Sequence, residues 1–92
     1  MNAYLIGYDL NRPRGASDYP DLIKAIKSLG ESWHQLDSTW IVRSELSAYD
    51  IATKLNVPLI DEGDELFVAQ LTKPNAAWIN LDTPTLTSIL RL

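Results

Sequence analysis

The stretch Glu31-Ser32-Trp33-His34-Gln35-Leu36-Asp37-Ser38-Thr39-Trp40-Ile41-Val42-Arg43 decides the fold. Its two short runs, Glu31 to Leu36 and Thr39 to Arg43, are rich in aromatic and β-branched residues and are joined at Asp37-Ser38, which predicts an antiparallel hairpin. Upstream, Tyr19-Pro20 opens a helix with Asp18 and Asp21 at its positive end. Leu22, Ile23, Ile26 and Leu29 give that helix an apolar stripe, and Gly30 ends it. Before it, Ala3 to Leu10 forms a strand. Downstream, Ser47-Ala48-Tyr49-Asp50 starts a second helix in which Ala48, Ile51, Ala52 and Leu55 share one face, and Asn56-Val57-Pro58 stops it. Glu65 to Leu71 is a further strand, so the order is β-α-β-β-α-β. A hairpin between two helices gives the ferredoxin-like split βαβ pattern of an α+β sandwich.

Right-handed crossovers place both helices on one face of a four-stranded antiparallel sheet and leave the other face to be covered. Two later segments are suited to that task. Ala76 to Leu81 is expected to form a C-terminal extra strand, and Thr83-Pro84 caps a short helix containing Leu86, Ile89 and Leu90. The 92 residues, 46% hydrophobic and 22% charged, fit a single domain spanning residues 1–92, with a core over about 3–72 and an extension over 73–92. A chain of this length buries only about 60–65% of its unfolded surface, so a homodimer that covers apolar faces is expected.

A net charge of −4 excludes coating of nucleic acid through a broad positive surface. The acid concentrates in Asp61-Glu62-Gly63-Asp64-Glu65, a pattern suited to a solvated turn. With no cysteine there is no disulfide framework, thiolate nucleophile or thiolate metal site, which suits a reducing cytoplasm. No apolar run approaches the roughly 20 residues of a membrane span, so no membrane partner is expected.

Tyr8-Asp9-Leu10, Leu36-Asp37-Ser38-Thr39-Trp40-Ile41-Val42 and Asp64-Glu65-Leu66-Phe67-Val68 together resemble the CRISPR-associated small dimeric endonuclease family and its relative, the VapD toxin ribonucleases. Tyr8-Asp9-Leu10-Asn11-Arg12-Pro13 followed by Asp37-Ser38-Thr39-Trp40-Ile41-Val42 is similar to small bacterial proteins labelled SinR-like. That label does not imply a helix-turn-helix, because a hairpin separates the helices here. The resemblance covers roughly residues 3 to 72 by element order. It implies a ferredoxin-like homodimer in which Asp9, ending the first strand, faces its symmetry mate and holds a divalent metal, Mg²⁺ or Mn²⁺, for phosphodiester cleavage of RNA or DNA. Several members of the family also use the dimer as a structural bridge, and acidic charge and aromatic content favour the alternative, a noncatalytic dimeric protein-interaction module that presents strand edges or its C-terminal segment to a partner.

Asp9 is the candidate catalytic and metal-binding residue, since Mg²⁺ takes carboxylate and water ligands and often needs only one or two protein carboxylates. A lone Asp in an apolar strand must otherwise be desolvated or paired, and Arg12 and Arg14 are the nearby cations. Those two arginines are the candidate nucleic-acid contacts, as planar forks for phosphate, and equally suit loop salt bridges. His34, the one imidazole, sits among Trp33, Leu36 and Trp40 in a pattern of aromatic packing. Ser38 and Thr39 have no paired base and read as turn and strand residues. Three tryptophans and four tyrosines fit core and dimer packing better than a base-stacking platform.

Overall fold

The hairpin is present as β2 (Glu31–Leu36) and β3 (Thr39–Ser44). The computed structural model describes residues 2–10, 18–56, 63–72, 77, 79, 81 and 83–91. Around the hairpin lie β1 (Asn2–Asp9), α1 (Asp18–Lys27), α2 (Ala48–Asn56), β4 (Glu65–Leu71) and α3 (Thr83–Leu90). The strands form one antiparallel sheet in the order β2-β3-β1-β4, so the architecture is α+β. The β1-α1-β2 connection passes over β3, and the β3-α2-β4 connection passes over β1.

Strand alternation gives the sheet two different faces. Tyr4, Ile6 and Tyr8 of β1 and Trp40 and Val42 of β3 join Leu22 and Ile26 of α1 and Ile51 and Leu55 of α2 in the main core. The helices bury these residues because they recur at i and i+4. Ser47 caps α2, its Oγ accepting the Asp50 backbone N–H at 3.1 Å. The Trp40 Nε1–H donates to the Tyr8 hydroxyl at 3.2 Å across the main core, which satisfies a polar atom that burial would otherwise penalise.

Among the described residues, the opposite face is covered over one half only. Leu86, Ile89 and Leu90 of α3 pack on Ala3 and Trp33, with Ile41, Leu71 and Leu81 at the margin. Arg43, paired in register with Ala3 and Glu31, is buried at 8% exposure. Its Nε donates to the Ile89 carbonyl at 3.0 Å, and Nη2 reaches the same oxygen. A guanidinium there satisfies one of the carbonyls that a helix C-terminus leaves free and complements its negative end. Pro84 sits in the first turn of α3 and Arg91 takes a left-handed φ of 57° just past its end. The expected extra strand over 76–81 lies largely outside the described residues. Ala77, Ile79 and Leu81, the described residues there, are not part of a strand. Among the described residues it is α3 that covers the second face.

Trp33 and Trp40, the two indoles among the described residues, differ in one respect that stability measurements can read. Trp33 is 4% exposed, and among the described residues its Nε1–H has no hydrogen-bond partner. A buried orphan donor costs about 1–3 kcal/mol, which offsets the volume lost in Trp33→Phe. Urea unfolding of that variant is expected to give a stability within about 1 kcal/mol of the parent. A loss above about 2 kcal/mol would mean that the indole N–H is partnered after all.

Candidate functional site

Asp9 closes β1 on the second face, at the end of the sheet that α3 does not reach. Its register partner is Glu65, the first residue of β4, and both side chains are exposed. Of the two expectations for this carboxylate, desolvation or pairing, the first does not hold, because Asp9 is exposed at the strand terminus. Opposed residues of an antiparallel pair have Cβ atoms about 4.5–5.5 Å apart, so two like charges face each other here. Among the described residues, no hydrogen bond or ion pair reaches either carboxylate. Arg12 and Arg14, the expected partners or phosphate contacts, lie outside the described residues.

Next along the strands, Gly7 pairs with Phe67 and Leu5 with Ala69 on that same face. Phe67 is 64% exposed, while Leu5, Gly7 and Ala69 are half-buried. A shallow depression lined by Gly7, Tyr8, Asp9, Glu65, Leu66 and Phe67 joins the apolar strip to the acidic pair. An aromatic ring left this open in mid-strand contrasts with Tyr4, Tyr8, Trp33 and Trp40, all of which are buried.

His34 stacks on Trp40 with ring centroids 4.0 Å apart and planes 9° from parallel, and its Nε2 lies 2.8 Å from the Asp37 carbonyl. Since a carbonyl only accepts, that nitrogen carries the proton. The stack places the imidazole on the helix-bearing face, so the fold does not bring His34 and Asp9 together. Ser38 and Thr39 serve the backbone, with the Tyr8 N–H donating to the Ser38 carbonyl at 3.1 Å and Thr39 paired with Gly7.

Among the described residues, no group of three or more His, Asp or Glu side chains gathers as a metal-ligand set. Asp9 and Glu65 nonetheless fit part of a Mg²⁺ or Mn²⁺ shell, which is often completed by water. No helix among the described residues is long and apolar enough to cross a membrane. Sequence reasoning missed Glu65 and Phe67. The signal for Glu65 was the antiparallel pairing of the end of β1 with the start of β4, which sets two acids side by side. Comparison with protein-family models, with curated proteins and with solved structures returns no match.

Proposed function

We propose that this chain is a noncatalytic protein-interaction module of the ferredoxin-like class, and that the half of its sheet left open among the described residues receives another protein. The fold assignment is supported by the two interleaved βαβ units, each of which straddles a strand of the other. The observation that carries the functional reading is Phe67, held 64% exposed between the half-buried Leu5, Gly7 and Ala69. Covering one such ring is worth about 1.5–3 kcal/mol, and aromatic anchors of this kind dominate binding energy at interfaces. Photo-crosslinking in cells tests the reading, with the photoreactive residue placed at position 69 and, as control, at position 53 on α2. Discrete adducts are expected from position 69 alone, and Phe67→Glu should abolish them. Equal labelling from both positions, or none from 69, would remove the proposal.

A second reading is favoured by the acidic pair. In a homodimer meeting face to face, Asp9 and Glu65 of both copies would converge, and these carboxylates would hold Mg²⁺ or Mn²⁺. The bound ion would supply Lewis-acid activation at a phosphodiester of RNA or DNA. On that reading, cleavage of labelled single-stranded RNA or duplex DNA depends on the divalent ion and falls by at least roughly 100-fold in Asp9→Asn. Cleavage of equal rate in the variant would exclude Asp9 from the chemistry.

A further inference from the structure

We infer that the segment docking on the bare half of the sheet is a basic one, with an apolar anchor over Gly7 and Phe67 and a lysine or arginine against Asp9 and Glu65. This rests on the interaction reading above and specifies its partner. The surface has a direction. It runs from the margin of α3 through Leu5 and Ala69 to Gly7 and Phe67 and ends at the two carboxylates. From Leu5 to Asp9 is about 13 Å at the strand rise of roughly 3.3 Å per residue, the length of a short extended segment.

Gly7 makes the notch. A Cβ built there would meet only the Leu5 Cδ2 at 3.9 Å, an ordinary contact, so the position is open above the backbone. Glycine within a strand commonly marks a place where another chain approaches closely. The neighbouring Phe67 supplies a wall for an inserted side chain.

Charge selects the occupant. Asp9 and Glu65 face each other across the ladder, and like charges in that arrangement oppose folding. Among the described residues no hydrogen bond or ion pair relieves that repulsion; a cation from a partner would, and the net charge of −4 attracts such a partner from a distance. A second copy laid symmetrically over this end would instead gather four carboxylates into one patch, each chain adding to the repulsion of the other.

The test uses short fluorescent peptides carrying a central phenylalanine followed either by a pair of lysines or by a pair of glutamates, titrated with the full chain by anisotropy. The basic peptide is expected to bind at least tenfold more tightly. Asp9→Asn/Glu65→Gln should erase that preference, while Phe67→Ala weakens both peptides. Circular dichroism confirms that each variant is folded. Equal binding of the two peptides overturns the charge inference and leaves the docking face standing. A preference that survives the double neutralisation places the discrimination elsewhere and also overturns it. Binding of neither peptide overturns the inference outright; sedimentation then reports whether a second copy occupies the face, and position-69 crosslinking decides the interaction reading separately.

Discussion

Gly30→Ala is expected to destabilise the protein by about 3 kcal/mol or more, seen as a fall in Tm of roughly 12 °C or more by circular dichroism. Gly30 sits between α1 and β2 with φ of +152°, a conformation that L side chains rarely adopt. A Cβ there would also overlap the carbonyl oxygen of Arg43. That oxygen belongs to β3, an interior strand paired with both β1 and β2, so it cannot withdraw without disturbing the ladders. Both penalties act on the folded state and neither is present in the unfolded chain. Gly7, whose built Cβ meets nothing closer than 3.9 Å, is the internal contrast. A loss below about 1 kcal/mol in Gly30→Ala would show that the α1–β2 connection relaxes at little cost.

Trp40→Ala is expected to cost about 3–5 kcal/mol, the range for deleting a large buried aromatic side chain. Trp40 is 2% exposed, and its ring touches several parts of the main core at once. Its removal opens a cavity, takes the indole donor from the Tyr8 hydroxyl and leaves the His34 ring without its stacking surface. Trp40→Phe refills part of the space but not the hydrogen bond, so its urea midpoint should fall between those of the parent and Trp40→Ala. If Trp40→Ala unfolded at the parent's midpoint, the main core would not depend on this residue as its burial implies.

The hairpin is legible from composition, as two aromatic and β-branched runs on either side of Asp37-Ser38, and the flanking helices from period, since Leu22 with Ile26 and Ile51 with Leu55 mark faces one turn apart. Ser47 was readable as a cap for the same local reason. The harder features depend on pairing, which local pattern does not encode. Leu66, Phe67, Val68 and Ala69 are apolar on both faces of β4, so alternation could not reveal that Phe67 stands open while Leu66 and Val68 pack on the main core. Asp9 stands out in the sequence as a strand-terminal carboxylate, but its exposure follows from where α3 stops. Arg43 looked like the end of a strand, and its burial came from the Ile89 carbonyl, 46 residues away. Arg12 and Arg14 remain sequence-level candidates, since they lie outside the described residues.

The central position of β1 has a kinetic consequence. β1 comes first along the chain, yet both of its neighbours, β3 and β4, follow much later, and only β2 and β3 pair as consecutive strands. Closing a long loop costs entropy before its contacts return any stability, so ladders made by distant strands form late. The earliest strand must therefore wait, unpaired, for a hairpin that can assemble by itself and then for β4 to arrive on its other side. Synthesis order and assembly order are expected to run in opposite senses in this sheet, since both of its long-range ladders are made by the strand that comes first.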